Sequence, residues 1–217
     1  MAATRCDRDA GPRRPLHSST VPPSRKLPPA RSGAVVALVA ACLGSACAAG
    51  PRSPAEAAAG RLEGRAQARR LTCESRSAAD LLAYHGLPGT EREVFGRLPR
   101  SDNPDVGFVG DPDGPPGRLP PEGYGVHAGP IAATLRALGL DARAEHDRTY
   151  AWLVEETRAG RPVIAWVTGS CEPSTRTSFT DARGRRFDAV RGEHSMLVLG
   201  AHGAGVTVLD PDSGRRR

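Results

Sequence analysis

A cysteine, a histidine and an aspartate are placed along the chain so that they could form a thiol-based catalytic site. Cys73 begins a predicted helix, and the unpaired amide groups and the dipole at a helix N-terminus favour the thiolate that a nucleophilic cysteine needs. A buried, unreactive cysteine is the alternative interpretation. A disulfide with Cys171 is another, because exported proteins form such bonds. The position of Cys73 therefore indicates a nucleophile and leaves a structural role open.

The carboxy-terminal hairpin supplies candidates for a base and for the group that orients it. His194 begins one predicted strand and Asp210 ends the next, with a glycine-rich turn between them. If Gly200 pairs with Ala204, His194 lies opposite Asp210, with Cβ atoms about 5 Å apart on one face. An imidazole and a carboxylate held in this way match the base and orienting group of a Cys-His-Asp triad. A shift of one residue would move them to opposite faces.

A fourth candidate, Gln67, precedes the cysteine by six residues. A side-chain amide at that position could donate a hydrogen bond to the oxyanion of an acyl-transfer intermediate, beside the backbone N–H of Cys73. The alternative for Gln67 is a solvated residue of a linker. The sequence thus predicts an oxyanion donor whose role depends on where the linker ends.

Metal and phosphate sites are not expected. Asp111, Asp113 and Glu122 fall at the first, third and twelfth positions of a calcium loop, but Pro115 and Pro116 occupy positions where a ligand and a glycine belong. The glycines of residues 107–117 lack the lysine of a phosphate-binding loop. The chain has no Cys-x-x-Cys pair for zinc. We therefore predict neither a cofactor nor a metal.

The elements that must position these residues are helices in the first part of the domain and strands in the last. The predicted helices begin near Cys73, after the capping box of Thr90 and Glu93, at Pro130 and near Tyr150. The predicted strands cover residues 162–167, 195–199 and 206–209, while residues 101–125 are a predicted loop and residues 168–192 a polar stretch. Helices followed by strands indicate an α+β fold.

The charge of the chain is distributed unevenly. Residues 1–72 hold 12 Lys and Arg against 4 Asp and Glu, whereas residues 73–217 hold 18 against 20. The basic excess therefore lies before the domain, which argues against a nucleic-acid partner. We interpret residues 1–32 as a disordered basic leader, 33–49 as a signal or anchor segment, 50–66 as a linker and 67–217 as the domain.

Residues 33–49 have the pattern of an export signal, because a basic flank precedes a short apolar stretch and small residues follow it. Cleavage near Cys47 would release the domain. A lipoprotein box that ends at Cys42 would instead tether the domain through a lipid, and the apolar stretch is just shorter than a typical spanning helix. We expect the protein to be secreted or held at the outer face of the cytoplasmic membrane.

Six short motifs occur in the order found in the C39-like cysteine peptidases, papain-like relatives of the domain that trims double-glycine leaders in peptide exporters. The motifs are Cys-Glu-Ser at 73–75, Ser-Asp-Asn-Pro at 101–104 with Gly-Phe-Val-Gly at 107–110, Gly-Tyr-Gly-Val-His-Ala at 123–128, Arg-Pro-Val-Ile-Ala-Trp-Val at 161–167, Glu-His-Ser at 193–195 and Leu-Asp-Pro at 209–211. The chain resembles this family over about residues 67–214. The resemblance implies a papain-like fold, with Cys73 as nucleophile, His194 as base, Asp210 as the orienting residue and Gln67 as the oxyanion donor.

The chain departs from the family pattern in three places. Glu74 stands where many relatives carry glycine. Residues 168–192 match nothing in the pattern, and relatives usually continue beyond the Asp-Pro through another segment, so we expect the carboxy-terminal end to be truncated. Three functions stay open: an exported thiol hydrolase that cleaves peptide bonds, a catalytically silent peptide-binding module, and an amidase or transpeptidase that acts on cell-wall peptides.

Overall fold

The computed structural model describes residues 59–60, 62–169, 174–203 and 205–217. Its helices are α1 (Cys73–Tyr84), α2 (Glu91–Arg97), α3 (Ala128–Ala137) and α4 (Tyr150–Arg158). Local signals account for their ends. Thr90 and Glu93 form the predicted capping box of α2, and Gly86, with φ of +69°, follows the end of α1. Helix α3 begins two residues earlier than Pro130.

The strands are β1 (Val109–Gly110), β2 (Gly123–Gly125), β3 (Val163–Thr168), β4 (Arg176–Thr180), β5 (Arg186–Val190), β6 (Glu193–His202), β7 (Gly205–Asp210) and β8 (Arg215–Arg216). An antiparallel sheet of four strands has the order β3-β6-β7-β8, while β1 pairs with β2 and β4 with β5. The predicted α+β class, with most helices before the main sheet, is confirmed.

Two segments predicted without regular structure contain strands. Strands β1 and β2 lie within residues 101–125, and the β4–β5 hairpin lies within residues 168–192. The side chains of β4 are mostly exposed, so the segment lacks the apolar alternation that predicts a strand. Asn103 and Asp102 bind the turn of this hairpin, through the Asp181 carboxylate and the backbone N–H of Ala182.

Apolar side chains cover both faces of the four-stranded sheet. One face contributes Leu197, Leu199 and Leu209 to a core with residues from α1, α2 and α3. The other face contributes Val198 and Ala201 to a smaller cluster with α4. Most residues of strand β3 are half-buried, because the strand lies at the edge of the sheet.

The predicted pairing of the β6–β7 hairpin is wrong. Gly200 pairs with Thr207 rather than with Ala204. The turn is tighter than predicted, because strand pairing continues as far as His202 and Gly205. His194 and Asp210 are consequently not directly opposite each other.

An irregularity at residues 198–200 keeps the two side chains on one face despite this shift. The register changes there by one residue, so that Leu197 pairs with Leu209 at the far end of the hairpin. Continuing this pairing places Asp210 on the diagonal from His194, a distance that long side chains can span. A bulge of this kind re-aims the side chains that follow it.

Several predictions concern residues that the structure does not describe. The basic leader, the 33–49 segment with Cys42 and Cys47, and Cys171 all lie outside the described ranges. Within the described ranges, no helix has both the length and the apolar character needed to cross a membrane.

Candidate active site

Cys73 is the first residue of α1, as predicted, and carries a free thiol that is 8% exposed. The turn before it is held by Glu91 of α2, whose carboxylate accepts hydrogen bonds from the Thr72 hydroxyl and the Ala68 N–H. The side chain of Thr72, the residue before α1, accepts no hydrogen bond from the first turn of the helix as the structure describes it. The amide groups of the first turn therefore keep the capacity to bind a negative charge.

His194 and Asp210 are joined by a hydrogen bond. His194 Nε2 lies 3.1 Å from Asp210 Oδ1. With the carboxylate ionised, Nε2–H donates to Asp210, and in the neutral imidazole Nδ1 is then the nitrogen without a proton. This arrangement gives the imidazole one fixed tautomer and leaves a basic nitrogen for proton transfer.

Asp210 is itself held in place by the turn that follows it. Oδ1 also accepts a hydrogen bond from the Asp212 N–H, and Oδ2 accepts one from the Ser213 hydroxyl. Arg217 lies 3.1 Å from Oδ2. Burial alone would raise the pKa of Asp210, but the hydrogen bonds from His194, Asp212 and Ser213 outweigh it and lower that pKa. Asp210 is therefore a carboxylate at neutral pH.

One cavity of about 500 Å³ is lined by Cys73, His194 and Asp210 together. Its wall also includes Tyr124 of β2 and Glu193 of β6. The three residues predicted to form a triad, which come from a helix and two strands, thus meet at one concave surface.

The thiol of Cys73 differs from the sequence-based expectation. Burial raises its pKa well above the ordinary value, and the adjacent Glu74 carboxylate raises it further. The hydroxyl and backbone N–H of Ser195 act in the opposite direction. In this arrangement the thiol holds its proton more firmly than the helix N-terminus alone would predict, so nucleophilic attack requires a base.

Gln67 lies beside the active-site turn, but its amide does not line the cavity. Its Nε2 donates to the carbonyl oxygens of Arg69 and Arg70, at 2.9 and 2.8 Å. Its backbone N–H donates to the carbonyl of Pro211, next to Asp210. The structure therefore places Gln67 between the turn that precedes Cys73 and the residue that follows Asp210, and its side-chain amide donates its hydrogens to backbone carbonyl groups.

Sequence reasoning missed a buried polar cluster next to the three predicted residues. It contains Glu74, Tyr124, His127 and Glu193, each less than 9% exposed at the residue or side-chain level. The only sequence signal was the position of the two glutamates, one directly after the cysteine and one directly before the histidine.

The acidic residues once considered for calcium have other partners. The Arg69 guanidinium binds Asp113 and lies 4.0 Å from Asp111. Across the part of the chain that the structure describes, no group of three or more His, Cys, Asp or Glu side chains could hold a metal ion.

A solved structure supports the assignment of the fold. A Bacillus anthracis protein provisionally described as a C39-like peptidase matches with a TM-score of 0.58 over 70% of this chain and 81% of that one. The chain has the fold of a C39-like peptidase. The identity between the two sequences is 20%, so the similarity concerns the fold. No protein-family model and no curated protein matches the chain.

Proposed function

We propose that this C39-like protein is an exported cysteine peptidase that hydrolyses peptide bonds through an acyl-enzyme on Cys73. The observation that carries the proposal is the His194–Asp210 hydrogen bond in a cavity that Cys73 also lines. An oriented base beside a cysteine at a helix N-terminus is the arrangement that thiol-based acyl transfer requires. The similarity of fold to a C39-like peptidase supports the same reaction class.

His194 is the general base in the proposed reaction. Its Nδ1 takes the proton of the Cys73 thiol as the sulfur attacks the peptide carbonyl, and the imidazolium is stabilised by Asp210. The tetrahedral intermediate then collapses, the C–N bond breaks, and His194 returns the proton to the leaving amine. Water, activated by the same imidazole, hydrolyses the thioester and regenerates the thiol.

The oxyanion of the intermediate would be stabilised by the backbone N–H of Cys73, which lies in the first turn of α1. Gln67 is the proposed second donor. Its Nε2 must turn from the carbonyl oxygens of Arg69 and Arg70 to reach the oxyanion. The proposal for Gln67 therefore includes a local rearrangement of the turn when substrate binds.

The substrate class that we propose is a peptide or protein outside the cytoplasm. The support is the export pattern of residues 33–49. Fractionation of cells that express the full chain tests this location. The domain should reach the medium or the outer face of the membrane, and deletion of residues 33–49 should retain it inside. A Cys42→Ala variant that is released rather than retained at the membrane would indicate the lipid tether.

Labelling of the full chain with a peptidyl thiol probe tests the reaction. The probe should modify Cys73 in the wild type and in Cys171→Ala, and His194→Ala should lower the labelling rate by about 10³-fold or more through loss of the base. A Cys73–Cys171 disulfide in the mass spectrum, or equal slow labelling of both cysteines, would overturn the proposal. Peptide binding without any turnover would indicate the silent module. Transfer of the acyl group to an added amine would indicate the transpeptidase.

A further inference from the structure

Each of the two residues that react in the proposed mechanism has a buried glutamate as its chain neighbour. Glu74 follows Cys73 and is 4% exposed, and Glu193 precedes His194 with a side chain that is 8% exposed. Buried carboxyl groups are costly unless they are neutral or well paired. The presence of two buried carboxyl groups next to the reacting residues therefore calls for a functional explanation.

Glu74 connects the nucleophile helix to the residue that directly follows strand β2. Its Oε1 accepts a hydrogen bond of 3.0 Å from the Val126 N–H, and Val126 also accepts one from the Trp166 indole. Gly125 makes room for the carboxyl group, because a Cβ atom there would lie 2.2 Å from Oε1. The other oxygen, Oε2, is buried without a hydrogen-bond partner in the described part of the chain.

Glu193 faces the same interior from strand β6. The Tyr124 hydroxyl accepts a hydrogen bond from the Val190 N–H, and its interaction with the Glu193 carboxyl group lowers the pKa of that group. His127 Nε2 lies 3.6 Å from Glu193 Oε1, while its Nδ1 lies 2.6 Å from Asp105 Oδ1. Glu193 thus faces Tyr124 of β2 and His127, the residues on either side of the Val126 N–H that Glu74 binds from α1.

The two glutamates influence each other's ionisation. Burial raises the pKa of Glu74 to about 7, although hydrogen bonds from Val126 and Cys73 act against it. Burial, with the charge of Glu74, raises the pKa of Glu193 to about 8. Interacting carboxyl groups in a low-dielectric site lose their protons in separate steps. At neutral pH at least one of the two is therefore neutral.

We propose that Glu74 and Glu193 are positioning residues that hold the Tyr124–His127 segment beside the active site. The two carboxyl groups also retain a proton on which the reactivity of Cys73 depends. The inference rests on the proposed function, since it assigns roles beside Cys73 and His194. A charged Glu74 opposes formation of the thiolate next to it, whereas a protonated Glu74 does not. Loss of the proton above neutral pH thus makes the thiol harder to ionise.

The matched substitution is Glu74→Gln, because glutamine imitates the protonated carboxyl group and retains an oxygen that can accept from the Val126 N–H. Glu193→Gln is the second variant, so the inference can still be tested if one of the two glutamine variants does not fold. Asp80→Asn is the control. Asp80 is a buried carboxyl group on the same helix, but it is paired with Arg76 and lies outside the cavity of the active site.

The measurement is the rate of iodoacetamide alkylation of Cys73 between pH 5 and 10, in a full-length Cys171→Ala background. In Glu74→Gln, thiolate formation should shift to lower pH by about one unit, which is about tenfold faster alkylation at a fixed pH below the midpoint. Glu193→Gln should shift it by less, and Asp80→Asn should not shift it. Unchanged profiles in both glutamine variants, or an equal shift in Asp80→Asn, would overturn the inference.

His194→Ala in the same assay separates the two proposals. If alkylation is indifferent to His194 while Glu74→Gln shifts the profile, the catalytic assignment fails and the role of the carboxyl pair stands. If His194→Ala slows alkylation while neither glutamine variant shifts the profile, the catalytic assignment stands and the role of the pair fails.

Discussion

The two halves of the candidate active site are stabilised in different ways. At the end of the β6–β7 hairpin, Asp210 is held by hydrogen bonds from His194, Asp212 and Ser213. At the start of α1, by contrast, the Cys73 thiol lies beside a buried carboxyl group, one oxygen of which has no hydrogen-bond partner among the residues that the structure describes. One half is hydrogen-bonded before substrate arrives, whereas the other contains a buried carboxyl group that burial keeps from ionising readily.

This difference indicates where pH acts on the site. The hydrogen bonds around Asp210 keep its pKa low, so the Asp210 carboxylate does not change its charge near neutrality. The pKa values of Glu74 and Glu193, about 7 and about 8, lie within the neutral range. The carboxylate that orients the base therefore keeps its charge near neutral pH, while the environment of the nucleophile changes with pH.

The largest effect on kcat should come from a substitution that disrupts the hydrogen bond between His194 and Asp210. Asp210→Asn should lower kcat by about 10⁴-fold with the fold retained, because an amide can donate to the imidazole and hold the wrong tautomer. Ser213→Ala, which removes one hydrogen bond to the same carboxylate, should lower kcat by less than about tenfold. Steady-state kinetics on a peptide substrate distinguishes them. Equal rates for Asp210→Asn and the wild type would mean that the hydrogen bond to His194 is not catalytic.

A smaller effect is expected for the proposed oxyanion donor on the nucleophile side. Gln67→Ala should lower kcat by about 10²–10³-fold, the typical cost of losing one such donor. The same variant also loses the hydrogen bonds to the carbonyl oxygens of Arg69 and Arg70, so its melting temperature must be measured in parallel. A lower melting temperature with unchanged kcat would assign Gln67 a structural role only.

A further effect concerns stability rather than kcat, and it tests the contrast between the two halves of the site. The pKa values of Glu74 and Glu193 are raised from 4.5 in the folded protein, so folding is most favoured when both are protonated. Stability should fall as pH rises above about 4.5 and level off beyond about 7 for Glu74 and about 8 for Glu193, with a loss of at most about 1.4 kcal/mol per pH unit and group. Urea unfolding at pH 5.5 and 8.5 should show this loss in the wild type, and less of it in Glu74→Gln and Glu193→Gln. A slope that both variants share with the wild type would contradict the assignment.

The helix that carries the nucleophile was predictable because its signals are local. Its apolar spacing, with Ala78 and Leu82 fully buried, and the glycine that follows its end are all contained in a short stretch of chain. The capping box of Thr90 and Glu93 is local in the same sense. Signals of this kind depend only on residues that are close in the sequence, so they can be recognised without knowledge of the fold.

The relation between His194 and Asp210 was predicted on a register that the structure does not have. The pairing near the turn would by itself put the two side chains on opposite faces of the hairpin, and the bulge at Leu199 returns them to the same face. Leu199 packs in the main core, which gives a reason for the extra residue at that point. A hairpin considered in isolation contains no information about that core.

Residue types and local spacing alone determined the α+β order of elements, the helix that begins at Cys73 and the four residues nominated for catalysis. Tertiary structure alone decided which side chains surround them. Glu74 and Glu193 are far apart in sequence, and neither has a local signal that marks it as buried. Their shared environment arises because α1 packs against β6, and burial rather than sequence distance sets the ionisation of a carboxyl group.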